Sequence, residues 1–372
     1  MGVSLINVMG CMVGYKGNDL LKKRFPYVDV FSPPSDPEPL LAFLTQNEGQ
    51  MFSKAEMAQR NAMMDEGLVL KNNQDKKFIC DYIPVVYGCS HACTYCIIPY
   101  RRGAERSRPA GEILADAQTL VEHGARDITL LGQIVDRYGI DLDDGQNLAG
   151  LLQKLHDIDG IYRLRFLTSH PNYMTDELLD AVAVLPKVCP HVEVPCQAGD
   201  DQVLNNMKRG YTADDYRRLI EKIRTRIPSV SIATDIIVGF PGETDEQFKN
   251  TYNLLAELKL DVAHLARYSP RPGTVAARRM IDDVPDEEKW RRFRMLEELQ
   301  EGIATEINAQ LLGRTLFVLF EEKVRGRWRG RTETMRWVFV ESDQDLTGKL
   351  LPVQITWTGP WSLQGQLVQA SP

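Results

Sequence analysis

From about residue 80 to residue 310, short β-rich runs alternate with amphipathic helical stretches. This alternation restricts the fold more than any other feature of the chain. The apolar runs are YIPVVYG (82–88), DITLLG (127–132), YRLRFLT (162–168), HVEVP (191–195), VSIATDIIVGF (230–240) and VAHLARY (262–268). Helical stretches between them include 110–125, 212–227 and 244–259, with Thr212 and Thr244 as expected N-caps and Gly124 as an expected C-cap. Six strands, each followed by a helix, predict a parallel sheet, either a partial α/β barrel or an open doubly wound sheet. In both architectures chemistry gathers at the C-terminal ends of the strands.

The two ends of the chain read differently. Residues 1–45 alternate strand and helix but are too few to build a full core alone. Residues 46–78 are polar and read as a linker with a helical stretch. A charged helix is expected over 285–311, ended by Gly313, and residues 314–370 alternate like a small β-barrel. The domains expected are therefore 1–60, 75–311 and 312–372. No run approaches the roughly 18–20 apolar residues that span a bilayer. The apolar N-terminus lacks the basic leader and cleavage site of a signal peptide, so a cytoplasmic location and no membrane partner are expected. The net charge of −7 argues against a generic polyanion binder and leaves nucleic-acid contact to local basic patches.

Just after the first strand, YGCSHACTYCIIPYRRG places Cys89, Cys93 and Cys96 at a C-x3-C-x2-C spacing. In a reducing compartment clustered thiols are ligands or catalysts rather than disulfides. Three thiolates suit a four-iron cluster with one iron left open to a small molecule. A structural zinc site wants a fourth ligand, for which His91 has the wrong spacing. Buried thiols without a metal are the third reading. Tyr95 fits the cluster reading as an aromatic shield. Cys80, Cys189 and Cys196 have no motif around them and read as small buried hydrophobes.

The triplet and its flanks resemble the radical S-adenosylmethionine (SAM) methylthiotransferases. So do LLGQIVDRYG (130–139), RFLTSHP (165–171), VPCQAGDDQVLNNMKRGYT (194–212) and TDIIVGFPGETDEQF (234–248). YSPRPGTVAARR (268–279) is similar to the tRNA-modifying branch, and the C-terminal barrel to a TRAM domain. The resemblance runs from about residue 5 to the end. It implies an α/β fold with a partial (β/α)6 radical SAM barrel, a partial N-terminal α/β methylthiotransferase domain and a C-terminal TRAM-like RNA-binding β-barrel. It further implies a [4Fe–4S] cluster on Cys89, Cys93 and Cys96 that binds SAM. One-electron cleavage of SAM would give a 5′-deoxyadenosyl radical that removes hydrogen from C2 of an isopentenylated adenosine next to the tRNA anticodon. Sulfur from a second cluster and a methyl group from another SAM would complete the methylthio group. The expected partners are tRNA and a reductant protein such as flavodoxin or ferredoxin. The same chemistry on threonylcarbamoyladenosine in tRNA or on a ribosomal-protein aspartate is the near alternative. A non-catalytic RNA-binding protein with a structural zinc is the alternative from another class.

Around the cysteines, Arg101, Arg102, Arg106 and Arg108 are expected to meet SAM carboxylate or RNA phosphate, which arginine recognises bidentately. Glu105 is a candidate for the SAM ammonium group, with an ion pair to an arginine as the bland alternative. Gln133, Ser169 and His170 follow the second and third strands and are candidates for the SAM ribose and methionine portion. Ile134 and Asp136 depart from the family's GQNVN, which reads GQIVD here. Gln197 and Gly239 follow the fourth and fifth strands, and the turn at Gly239 is expected to form the wall for SAM adenine. Between residues 313 and 340 seven Lys and Arg face three Glu, a basic patch on an acidic chain. Arg325, Arg327, Arg329 and Arg331 alternate, so a regular strand would put them on one RNA-binding face opposite Trp328. In the N-terminal domain the family pattern brings three cysteines for the second cluster, of which only Cys11 is visible. The resemblance implies an N-terminal truncation and a second cluster that is not stably held.

Overall fold

The computed structural model describes residues 5–9, 13, 19–32, 38–46, 78–143 and 145–368. Cys11 and the expected linker up to residue 77 lie outside the described residues. The chain divides into two compact units. The first comprises Met1–Lys77, Gly88–Ser90 and Ile97–Ala104, and the second comprises Phe78–Tyr87, His91–Cys96 and Glu105–Pro372.

In the first unit, β1 (Asn7–Met9) and β2 (Val30–Ser32) pair in parallel, with Asn7 opposite Val30. Helices Asp19–Arg24 and Glu38–Gln46 follow the two strands.

The second unit carries the six expected parallel strands. β3 (Cys80–Pro84) leads through the short hairpin of β4 (Val86–Tyr87) and β5 (Arg106–Ser107) to β6 (Asp127–Leu131) and β7 (Arg163–Phe166). The order in the first sheet is β3-β6-β7. The second sheet joins β8 (His191–Glu193), β9 (Ser231–Val238) and β10 (Val262–Arg267), in the order β10-β9-β8. A parallel bridge from Leu164 to Val188 connects the two sheets beside β7. Alternation along each strand sorts the side chains. Ile83, Ile128, Leu130, Leu164, Val192, Ile232 and Ile236 join the core beneath the helices. Asp127, Arg165, His191, Glu193 and Asp235 take the opposite face, so the inner face of this partial barrel is polar.

Local chemistry sets the helix ends. Thr212 and Asp215 form a reciprocal capping box, as do Thr244 and Gln247. The charged helix spans Asp286–Ala309. Beyond it a closed five-stranded barrel is built from β11 (Thr315–Val324), β12 (Arg327–Arg331), β13 (Trp337–Val340), β14 (Leu350–Thr358) and β15 (Leu363–Leu367). Its core is Val318, Phe320, Trp328, Val338, Val340, Val353, Ile355 and Leu363 with Leu346. Gly330 lets β12 press on β11, because a Cβ there would meet the Leu319 carbonyl oxygen at 2.4 Å. Two interior arginines tie the barrels together. Arg163 donates to the carbonyls of Arg331 (2.5 Å) and Phe317 (2.9 Å), and Arg165 to those of Glu333 (2.6 Å) and Thr332 (3.0 Å).

Candidate active site

The thiol of Cys93 is held by residues far away in sequence. Arg209 donates from Nη1 to Cys93 Sγ at 3.3 Å, from Nη2 to the Pro195 carbonyl at 3.0 Å and from Nε to the Tyr211 hydroxyl at 2.9 Å. His91 Nδ1 lies 3.7 Å from the same sulfur. Burial opposes ionisation of Cys93, but the His91 and Arg209 contacts and the Arg209 charge outweigh it and bring the thiol down to about 7. A thiol so placed is chemically ready to ligate iron. Cys96 donates its N–H to the Cys93 carbonyl at 3.1 Å, which fixes the turn between the two ligands. Tyr95 packs beside Val203, Met207, Tyr211, Phe240 and Tyr268. Cys89 belongs to the first unit, where it is buried and its N–H donates to the Gly103 carbonyl at 3.1 Å. Gly88 before it has φ +69°, and a Cβ there would collide with the Ala104 carbonyl oxygen at 2.1 Å.

Among the described residues no three His, Cys, Asp or Glu side chains converge on one metal ion. A four-iron cluster asks for a different arrangement, one thiolate on each of three irons. The other described cysteines do not compete. Burial pushes the thiols of Cys189 and Cys196 up to about 11 and about 12, and raises that of Cys80 as well.

Ser169 and His170 follow β7 and are almost wholly buried, yet Ser169 Oγ and His170 Nε2 have no hydrogen-bond partner. His170 Nδ1 accepts the Asn172 N–H at 3.3 Å, so in the neutral ring Nε2 carries the proton. Burial, then the charges of Arg209, His91 and Arg137, pull His170 down to about 2, so the ring stays neutral. A buried N–H and a buried hydroxyl without partners are costly unless a polar ligand meets them. The His170 ring stacks on His91, with centroids 4.4 Å apart, and so lies beside the Cys93 loop. These groups fit SAM. Backbone strain collects at the same strand ends: Thr168 and Gln197 are non-glycine residues at φ +68° and +77°.

Asp136 stands out in the sequence only as a departure from GQNVN. Its carboxylate accepts the His170 N–H at 3.0 and 3.2 Å and so fixes that residue's backbone. Burial raises the Asp136 carboxyl to about 7 despite the hydrogen bonds from His170 and its own backbone N–H. An acid raised above its unfolded value stabilises the fold below about pH 4, and that contribution is lost as pH rises through about 7. The Asp136→Asn protein keeps an acceptor for His170 but cannot titrate. Its melting temperature is expected to fall less than that of the wild type between pH 5 and 8. Parallel pH profiles for the two proteins would remove this assignment.

Several of the expected site residues have protein partners of their own. Glu105 is engaged with Arg137, whose Nε lies 2.8 and 2.9 Å from its two oxygens, rather than open to an ammonium group. Arg108 spends its guanidinium on Asp116 (2.8 Å), Glu112 (3.5 Å) and the Pro84 carbonyl (3.0 Å). Gly239 faces protein rather than ligand: a Cβ there would strike Lys289 Cγ at 2.3 Å, and its N–H donates to Glu243 at 2.6 Å. Arg325 is not on a strand. It and Gly326, at φ +51° and +86°, form the two-residue turn between β11 and β12. Arg331 is 9% exposed and bound to Glu321 at 2.6 and 3.2 Å, so it presents no face to RNA. Arg329 pairs with Glu322 and stacks 4.3 Å from the Trp337 ring centroid. Gln133 follows β6 half-buried, and Gln197 is buried between β8 and β9, its N–H donating to Asp235 and its carbonyl accepting from Ile237.

Residues 83–255 match the family model of the Radical SAM superfamily, and residues 309–368 that of the TRAM domain. A tRNA-2-methylthio-N(6)-dimethylallyladenosine synthase of Roseiflexus sp. is 47% identical over 97% of this chain and 74% of its own length. Proteins of the same name from Herpetosiphon aurantiacus (45%) and Dehalococcoides mccartyi (44%) each align over 98% of this chain and 81% of theirs. The chain belongs to this family. As a member of the Radical SAM superfamily it uses a [4Fe–4S] cluster and SAM. The cysteine loop, the orphaned groups at Ser169 and His170 and the closed C-terminal barrel all fall inside the matched regions.

Proposed function

We propose that this protein adds a methylthio group to C2 of N6-isopentenyladenosine next to the anticodon of tRNA. The observation that carries the reading is the Cys93 thiol, brought down to about 7 by His91 and Arg209, beside the two unpartnered buried groups of Ser169 and His170. Family membership supplies the substrate class.

Cys89, Cys93 and Cys96, at their C-x3-C-x2-C spacing, would hold the cluster. When bound, the cluster and SAM supply one-electron chemistry that abstracts hydrogen. Ser169 Oγ and His170 Nε2 bind and orient SAM, with Gln133 and Gln197 at the neighbouring strand ends. His91 and Arg209 favour the thiolate form of Cys93. Tyr95 and its aromatic neighbours exclude water from one side of the loop. The sulfur would come from a second cluster, for which Cys11 is the single candidate ligand in this sequence, so that cluster would be held less firmly than the first. A small reductant protein, flavodoxin or ferredoxin, delivers the electron, and the reaction takes place in the cytoplasm. Among the described residues no helix is long and apolar enough to cross a membrane.

The C-terminal barrel grips the tRNA backbone through Arg325, which is exposed, and Arg327, which is half-buried over the Phe339 ring at 5.5 Å. The Arg325→Gln/Arg327→Gln protein is expected to bind tRNA more weakly. Its slope of log affinity against log salt should flatten by about 0.7 for each phosphate that is no longer neutralised. A wild-type slope in this protein would take the barrel's basic turn out of the RNA interface.

A further inference from the structure

A cavity of about 290 Å³ lies between the inner face of β8–β10 and the C-terminal barrel. That is near the small end of ligand pockets, about 300 Å³. Its polar lining includes Glu193 and His264 with His191, Asp261, Asn308 and Arg336, and its apolar lining includes Val262, Met335, Trp337 and Trp361. One backbone bond joins its lining to the proposed SAM groups, and a second runs to the neighbouring strand. Ser169 N–H donates to the Glu193 carbonyl at 3.2 Å, and Gln197 N–H to the Asp235 carbonyl at 2.8 Å. In register, Asp235 faces His264 across β9–β10 and Glu193 faces Ala233.

We propose that this cavity receives the prenylated adenine itself, with Glu193 reading the N6–H and N1 edge and Trp337 and Trp361 of the C-terminal barrel enclosing the five-carbon chain. The inference rests on the proposed function and deepens it, because it makes the C-terminal barrel a wall of the substrate site as well as an RNA grip. An N6-monosubstituted adenine keeps one N–H donor next to the N1 acceptor. A carboxylic acid matches that edge by accepting the first and donating to the second. Burial and then the charge of Asp235 push Glu193 up to about 7, so the acid form is present at neutral pH. The branched chain needs an apolar enclosure, and aromatic faces supply large area at little cost in side-chain freedom. Trp337 is held for this role by the guanidinium groups of Arg329 and Arg331, 4.3 and 4.9 Å from its ring centroid. Trp361 is 57% exposed, as expected of a wall that a base must pass.

The test compares anticodon stem-loop RNA with and without the N6-dimethylallyl group, by equilibrium binding at fixed salt. Wild-type protein should prefer the prenylated RNA by about tenfold or more, the return from burying several methyl and methylene groups. In the Trp361→Ala protein the preference should fall to about threefold or less. In the Glu193→Ala protein, which loses the contact to an edge that both RNAs carry, affinity should fall about tenfold for both RNAs while the preference stays. A wild-type preference in the folded Trp361→Ala protein, or wild-type affinity for both RNAs in the folded Glu193→Ala protein, overturns the inference alone. If Glu193→Ala does not fold, the exposed Trp361 position decides. Loss of preference already in the wild type, together with no methylthio product, overturns the proposed function and this inference with it.

Discussion

Replacing Cys93 with alanine is expected to abolish reductive cleavage of SAM, to below about 1% of the wild-type rate, while leaving the partial barrel folded. Wild-type protein reconstituted under anaerobic conditions should hold about four irons per chain on the three thiolates, and the variant close to none. Stability should change little, because Cys93 sits in a loop outside the hydrophobic core. The Arg209 guanidinium also keeps the Pro195 carbonyl and the Tyr211 hydroxyl as partners. Cys196→Ala is the matched control. Its thiol is buried, pushed up to about 12, and donates to the Ala198 carbonyl at 3.0 Å, so iron content and SAM cleavage should stay at wild-type values. Production of 5′-deoxyadenosine by the Cys93→Ala protein would contradict the ligand assignment.

Changing Asp127 to alanine should destabilise the protein by about 3–5 kcal/mol, the cost of leaving a buried charge without its partner. Asp127 and Arg165 are among the most buried charged side chains, 1% exposed each, with Arg165 Nε 2.9 and 3.1 Å from the two carboxylate oxygens. The remaining Arg165 donors go to the Thr332 and Glu333 carbonyls, so the pair also supports the seat of the C-terminal barrel. Urea denaturation followed by circular dichroism measures the loss. Replacing both residues with apolar ones of similar volume should cost less than the single change, because no unpaired charge remains. A single variant within about 1 kcal/mol of the wild type would mean that water reaches Arg165 in the folded protein.

The strands were legible because parallel strands buried on both faces read as short, near-continuous apolar runs. The sequence reading of 127–132 meets β6 at Asp127–Leu131, and that of 230–240 meets β9 at Ser231–Val238. Thr212 and Thr244 were legible because a cap is a local event within four residues. The cysteine triplet was legible because a short loop carries all three thiols. The setting of Cys93 was not, since Arg209 is 116 residues away and nothing local marks it. The same holds for Arg163 and Arg165, whose carbonyl partners lie 154 to 168 residues downstream. The basic patch was legible in composition but not in its geometry. Period-two spacing from Arg325 to Arg331 looks like one strand face, but Arg325–Gly326 turns the chain and Glu321 draws Arg331 inward. At Gly239 a glycine's missing side chain does not say what lies beside it, and Lys289 does.

Mass spectrometry of nucleosides from tRNA, in cells with and without the gene, tests the central claim most directly. The account predicts 2-methylthio-N6-isopentenyladenosine where the gene is present, replaced by N6-isopentenyladenosine where it is deleted, with methylthiolated threonylcarbamoyladenosine unchanged. An unaltered level of the methylthio-isopentenyl nucleoside after deletion, or loss of the threonylcarbamoyl derivative in its place, would contradict it.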